Sequence, residues 1–326
     1  MPLDPVAYQP YADPDEFIRE VTDLIWVDRS IKFIQENYEP DSIVHGGLGT
    51  STTRDEVIEG TLMRISTAPD RTGQAEDIVW EEREDAAFLS SHLVISGHLQ
   101  TSQYSRTIAN CLYRRGRMVE EWVVRDTLAD ALYRGIDPDQ AARELLFRGY
   151  TGSFTEAPPA QPIAVGDSGA RPDQYRSEVQ RVLEMIQTVW NERDLQKVEH
   201  FFHRDLVLHT VGNRLVIRPE GYRRALLQFL ESFPAGQFEV RDIQANYDVR
   251  YAGLRIAVMW KFVGSYNGRP NYGSLTEKPV DVLGVSQFTF HNGALVKEVR
   301  LWDDLALRTQ IAGMRGDEPV GPSNIY

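Results

Sequence analysis

The chain has 326 residues, which is too long for one ordinary hydrophobic core and favours two domains of about 150 residues each. Its formal net charge of −13 argues against a nucleic-acid partner, and no apolar run reaches the roughly 18 residues of a membrane span. A single cysteine, Cys111, excludes intrachain disulfides, and no secretory pattern opens the chain, so we expect a cytoplasmic protein without a membrane partner.

The first half begins with helical patterns and ends in strands. "DPDEFIREVTDLIWVDRS" carries apolar residues at helical spacing, and a second helix leads into the short strand "SIVHGG". The runs "AAFLSSHLVISGHL", "YSRTIANCLYRR" and "MVEEWVVRD" are rich in strand-forming residues. The order predicts an α+β domain, with helices first and an antiparallel sheet after them.

A linker is predicted at residues 151–172, where Pro, Gly, Ser and Ala dominate and no periodicity persists. This places one domain at residues 1–150 and a second at 173–326.

The second half repeats the first. "IWVDRSIKFIQENYEPDSIVH" begins at residue 25, and "VWNERDLQKVEHFFHRDLVLH" begins at residue 189. At a constant offset of 164, the identical pairs are Trp26 and Trp190, Arg29 and Arg193, Asp41 and Asp205, and His45 and His209. Near the end of each half the offset becomes 177, since the second half has a longer loop. The chain therefore contains two copies of one domain.

The last strand of each copy ends in an aspartate, Asp126 or Asp303. In the first copy, strand alternation puts Trp122, Val124 and Asp126 on one apolar face. A carboxyl group in an apolar cavity would have a raised pKa and could transfer protons. Each aspartate also precedes a helical segment, so each is equally a candidate helix N-cap, and the two roles are compatible.

His45 and His209 occupy matching short strands, and each is a candidate proton-transfer partner or a packed, hydrogen-bonded side chain. Asn110 and Gln287 correspond at the offset of 177, and each is a candidate donor to a carbonyl oxygen or a cross-strand pair.

The first copy alone carries His92 and His98, where the sequence alignment gives Met259 and Ser265 in the second. The first half is therefore the better candidate for acid and base chemistry. These histidines have no HxH or HExxH spacing, so no metal site is predicted.

Aromatic and polar side chains are available to line a ligand pocket, although core packing is the ordinary role of aromatic residues. The predicted pocket residues are Trp26, His92, Tyr104, Trp122, Trp260 and Gln287. Alternation places Trp302 on the outside of its sheet or at an interface.

The two closing segments, "GRMVEEWVVRDTLADALYRG" and "GALVKEVRLWDDLALRTQIAG", together with the strand histidines, resemble SnoaL-like polyketide cyclase domains of the nuclear transport factor 2-like superfamily. The resemblance implies a cystatin-like α+β fold: two tandem cone-shaped domains, each a curved antiparallel sheet packed on N-terminal helices. Val123 and Arg300 depart from the usual cyclase ending, in which a further acidic residue follows the strand tryptophan.

The resemblance also implies a function. We expect a cofactor-free cyclase, isomerase or dehydratase (a lyase) acting on a small apolar carbonyl compound, with Asp126 as acid or base, His45 or His98 as its partner and Asn110 as carbonyl donor. Asp303 and His209 would act similarly in the second copy. The alternative is a non-catalytic small-molecule-binding or assembly module. In either case, we expect the two domains to pair within the chain, and a homodimer is a second option.

Overall fold

The computed structural model describes residues 7–83, 86–98, 103–153, 175–251 and 253–321. Within the first half, the elements are α1 (Pro14–Trp26), α2 (Ile31–Asn37), β1 (Tyr38–Gly46), β2 (Gly49–Ser51), α3 (Arg54–Thr67), β3 (Arg71–Arg83), β4 (Ala87–His98), β5 (Tyr104–Arg114), β6 (Arg117–Arg125), α4 (Thr127–Tyr133) and α5 (Pro138–Phe147). No helix in the described ranges is long and apolar enough to cross a membrane.

The second half follows the same order. Its elements are α6 (Arg176–Met185), α7 (Val198–Phe201), β7 (Phe202–Thr210), β8 (Arg214–Ile217), α8 (Arg218–Leu230), β9 (Gln237–Asp248), β10 (Gly253–Ser265), β11 (Pro279–His291), β12 (Ala294–Trp302) and α9 (Asp304–Arg315). A π-helical segment, Ile186–Asn191, extends α6.

Each half forms one six-stranded sheet, and the two strand orders are equivalent: β2-β1-β6-β5-β4-β3 and β8-β7-β12-β11-β10-β9. The α+β class and the two similar domains are confirmed. Each sheet is mixed rather than purely antiparallel, because β1 runs parallel to β6 and β7 runs parallel to β12. The helices that precede β1 and β7 bring these strands in from the same end as the closing strands.

The repeated arginine has a structural role. Arg29 and Arg193 both adopt a left-handed backbone conformation, with φ of 61° and 62°, in the turn after the first helical segment. Arg29 donates to the carbonyl oxygens of Pro69 and Arg71, and Arg193 donates to those of Phe233 and Gly236. In the first copy this side chain holds the turn against the start of β3, and in the second copy it holds the turn against the loop before β9.

The two sheets pack against each other. Leu93, Ile108 and Trp122 of the first sheet belong to one buried cluster with the second domain's core. Across the interface, Nε2 of Gln287 donates to the carbonyl oxygen of Ser91 over 2.9 Å. One face of the first sheet is therefore covered by the second domain, and the other is covered by α1 and its neighbours.

Helix α5 also packs on the second domain. Ala141 of α5 and Leu305 of α9 share a small buried cluster, and Nη1 of Arg308 lies 2.8 Å from a carboxylate oxygen of Asp139. Most of the predicted linker, 151–172, lies outside the described residues; at its start, the carbonyl of Gly152 accepts from Gln310.

Candidate functional site

The residues of the closing strand β6 that line a cavity lie on the face opposite to that of Trp122, where the reacting residue was expected. Trp122 packs in the interface with the second domain, whereas Glu121, Val123 and Arg125 point toward the helices of their own domain. Alternation correctly separated the two sets. It did not show which set lines the cavity, because both faces of the sheet are covered and the more apolar one serves the interface.

A cavity of about 360 Å³ lies between α1, α3, β1 and β6. Its apolar wall includes Ile25, Trp26, Ile34 and Val57. An adjoining cavity of about 210 Å³ shares Trp26, His92, Glu121 and Arg125 with it. The volume of the first cavity, about 360 Å³, lies within the roughly 300–1,000 Å³ typical of small-ligand pockets.

Two charged side chains in this cavity have no direct partner. Glu121 and Arg125 are half-buried, and neither side chain makes a hydrogen bond or ion pair among the described residues. Burial raises the pKa of the Glu121 carboxyl, although the positive charges of Arg125 and Arg64 oppose this. Burial likewise lowers the pKa of the Arg125 guanidinium to about 9, so it remains protonated at neutral pH. The cavity thus holds a carboxyl group with a raised pKa and a protonated guanidinium.

His92 lines both cavities. Burial lowers its pKa to about 4, so its imidazole is neutral at pH 7. In the sheet, His92 lies opposite Ala109, and the equivalent pair in the second domain is Val258 and Ser286. The counterpart of His92 is therefore Val258, not Met259. His98 ends β4, but its side chain lies outside the described part of the chain.

Asp126, the first predicted catalytic residue, is a helix cap. Its carboxylate accepts from the backbone N–H of Ala129 in α4 over 3.1 Å, and from those of Gly212 and Asn213 in the second domain over 2.7 Å each. Burial raises its pKa to about 6, while these three donors oppose the rise. The carboxylate lines neither cavity of the first domain.

Asp303 caps α9 by accepting from the N–H of Ala306, and it also accepts from the hydroxyl of Thr127 in the first domain. Unlike Asp126, it lines the first domain's cavity. A Cβ on Gly47 would lie 2.7 Å from the Cβ of Asp303, so this contact requires glycine. The second domain therefore supplies a carboxyl group to the first domain's cavity.

His45 lies on the other face of the sheet. Its Nε2 is 2.8 Å from Oε1 of Glu120, and its ring stacks on Trp122 at 5.5 Å between centroids. The structure pairs His45 with Glu120 rather than with Asp126. His209 is half-buried, and burial, with Arg106 and Lys297 nearby, lowers its pKa to about 4.

The predicted amide pair also lies in the interface. Asn110 is fully buried, and its side-chain amide has no partner among the described residues. Gln287 donates to Ser91 across the two domains. Tyr104, at the start of β5, stacks beneath the Arg106 guanidinium and lines neither cavity. Trp26 and His92 are thus the predicted pocket residues that lie in the first domain's cavity.

Comparison with known proteins identifies the second half of the chain. Residues 180–311 match the family model described as SnoaL-like polyketide cyclase. The second half is a SnoaL-like domain. The resemblance predicted from the sequence is thereby confirmed. No curated protein matches the chain.

Solved structures that match the chain include a protein from Jannaschia sp. CCS1, provisionally described as a SnoaL-like polyketide cyclase. It is 21% identical, with a TM-score of 0.38, and the match covers 44% of this chain and 96% of that one. Another, from Bacillus cereus ATCC 10987 and provisionally described as a polyketide cyclase, is 17% identical with a TM-score of 0.37. That match covers 49% of this chain and 96% of that one.

The space beside Trp260, Arg300 and Trp302 in the SnoaL-like second domain is nearly filled, with a cavity of only about 10 Å³. A separate cavity of about 180 Å³ lies between this domain and α4 of the first domain, beside Phe229 and Trp302. Trp302 packs against Phe229 inside the domain, whereas alternation placed it on the outside of its sheet or at an interface. Glu298, the counterpart of Glu121, is fully buried, accepts from the Ser286 hydroxyl over 3.0 Å and lies near Arg300. Large side chains and the Glu298–Arg300 ion pair therefore occupy the space that is open in the first domain.

Sequence reasoning missed the charged residues of the cavity. Glu121 and Glu298 correspond at the same offset of 177 as the two closing aspartates, so the repeated glutamate was visible in the sequence. Arg125 corresponds to Trp302, and Val123 to Arg300. This exchange of charged and bulky residues distinguishes the open cavity from the filled one.

Proposed function

We propose that the chain is a cofactor-free enzyme of the SnoaL-like type, which transfers a proton next to the carbonyl group of a small compound in the cavity of the first domain. Such a step underlies cyclase, isomerase and dehydratase reactions. The observation that carries the proposal is Glu121, a carboxyl group with a raised pKa that faces a cavity with an apolar wall and makes no hydrogen bond or ion pair among the described residues.

Glu121 acts as the general base. Its carboxylate takes a proton from the carbon next to the carbonyl, and the electron pair of the broken C–H bond moves onto the carbonyl oxygen. Desolvation makes a carboxylate more basic and thus a better proton acceptor near neutral pH. His92, neutral at pH 7, is available to donate a hydrogen bond to the oxygen on which the negative charge develops.

The second domain has a different role. The cavity inside it, about 10 Å³, is too small for a substrate of similar size. It contributes Asp303 to the first domain's cavity and receives Asp126 at its own Gly212–Asn213 turn. We therefore propose that it is a non-catalytic assembly module that pairs with the first domain within the chain.

Proton exchange tests this proposal without knowledge of the natural substrate. The exchange of the α-protons of 2-tetralone for deuterium in D₂O is followed by NMR with and without protein. We expect catalysed exchange by the natural protein and a decrease of about a hundred-fold or more in Glu121→Gln, as expected for loss of a general base.

Glu120→Gln is the matched control, because Glu120 is the adjacent residue of β6 but lies on the opposite face and contacts His45. It should retain exchange. Equal exchange by Glu121→Gln and the natural protein, with both variants folded, would reject Glu121 as the base.

A further inference from the structure

The first domain's cavity contains a cation, Arg125, that makes no ion pair or hydrogen bond among the described residues, although the charges of Glu121 and Asp303 in the same wall act on it. Other buried arginines of the chain have carboxylate partners: Arg106 lies 2.8 Å from Glu76, and Arg255 lies 3.3 Å from Asp77. Arg125 has no such partner among the described residues, although it is half-buried. An unpaired charge removed from water is costly unless a counter-ion joins it.

The carboxyl groups around Arg125 do not take that place. Oδ1 of Asp303 is engaged by the Ala306 N–H and the Thr127 hydroxyl. Glu121 shares the cavity but makes no ion pair with Arg125. Its role in the proposed reaction requires it to be free for a proton. The guanidinium is therefore available to a ligand.

Arg125 is located at one corner of the cavity. Its Nη1 lies 3.8 Å from the position that a Cβ on Gly46 would occupy, and Oδ2 of Asp303 lies 2.8 Å from that of a Cβ on Gly47. Two consecutive glycines at the end of β1 thus leave space for both groups. Arg64 of α3 also lines the cavity, with an exposed side chain, and adds a second positive charge.

One part of the remaining wall is apolar. Ile25, Trp26 and Ile34 come from the helices and provide flat and aliphatic surfaces away from the arginines. A complementary ligand has an apolar ring at one end and an anion at the other. Arginine binds planar carboxylates through two parallel hydrogen bonds, so its fork geometry suits this group.

We propose that the ligand of the first domain is a ring compound bearing a carboxylate, which Arg125 binds with the assistance of Arg64 while the ring packs against Trp26. Asp303 of the second domain closes the same corner. This inference rests on the proposed function for its site and adds the substrate class.

The test compares two probes of the same shape: 3-benzoylpropionate, a ketone with a carboxylate, and its uncharged primary amide. Binding to the full chain is measured by titration calorimetry. We expect the carboxylate to bind at least ten-fold more tightly than the amide. Arg125→Gln should remove that difference, and Arg64→Gln should reduce it. Arg114→Gln, which changes the exposed last residue of β5, should leave it intact.

Thermal unfolding of each variant shows whether it folds. If Arg125→Gln does not fold, Arg64→Gln still tests the proposal. Equal affinity for acid and amide, no binding of either at millimolar concentration, or an unchanged preference in both cavity variants would overturn the inference. Glu121→Gln separates the two proposals, because it should abolish proton exchange but retain carboxylate binding. Exchange that survives in Glu121→Gln rejects the proposed base. A natural protein that binds the acid and the amide equally rejects only the ligand class.

Discussion

Replacement of Asp126 by alanine should weaken the protein without removing its proposed activity. Asp126 caps α4 and accepts two N–H groups of the second domain, so its side chain serves both a helix and the interface. Loss of an N-cap costs about 0.5–2 kcal/mol. The N–H groups of Gly212 and Asn213 would also lose a charged acceptor, at about 1 kcal/mol each, because water reaches the partly buried turn. We expect a total decrease of about 3 kcal/mol in the free energy of unfolding.

The measurement is urea-induced unfolding of Asp126→Ala beside Asp137→Ala. Asp137 caps α5 through the N–H groups of Asp139 and Gln140 but makes no hydrogen bond to the described part of the second domain, so it reports the cost of a cap alone. We expect about 1 kcal/mol for this control. Equal losses in the two variants would refute the role of Asp126 in joining the domains. Normal stability of Asp126→Ala with abolished proton exchange would restore the catalytic role suggested by the sequence.

Three further predictions concern the cavity and the interior of the second domain. Gly47→Ala should destabilise the protein by about 1–3 kcal/mol, because its Cβ would overlap Asp303. Gly60→Ala, where a Cβ meets nothing within 4 Å, should instead stabilise α3 by about 0.5–1 kcal/mol. Thermal unfolding of the two variants measures both effects, and equal shifts in their unfolding temperatures would contradict the predicted overlap at Gly47. The exchange rate should rise with pH through the raised pKa of Glu121, since the ionised form is the base, and its midpoint in a pH–rate profile should lie above the ordinary value of about 4.3; a midpoint at or below that value would argue against burial of this carboxyl. Trp302→Ala should cost about 3–5 kcal/mol in urea unfolding but leave exchange in the first domain unchanged; a loss of exchange in the folded variant would give the second domain a direct role.

Much of the architecture could be predicted from the sequence because each repeated identity reports a shared local structure. Arg29 and Arg193 mark the same left-handed turn, and the closing aspartates mark the same helix start. Each of these aspartates had two candidate roles from the sequence, proton transfer and helix capping, and the structure shows that both are helix caps.

The location of the cavity could not be predicted in the same way. Strand alternation separates two faces but does not say which partner covers each one. In this chain the second sheet covers the Trp122 face, so the apolar residues identify the interface and the charged ones identify the cavity. The contribution of Asp303 to the first domain depends on the packing of residues 177 positions after Asp126, which no local pattern reports.

The most direct test of the account is proton exchange measured side by side for Glu121→Gln and Asp126→Asn, with 2-tetralone in D₂O and both proteins shown to be folded. The account predicts that Glu121→Gln loses exchange and Asp126→Asn retains it. Exchange that persists in Glu121→Gln and disappears in Asp126→Asn would contradict it and would move the reacting group to the interface between the domains.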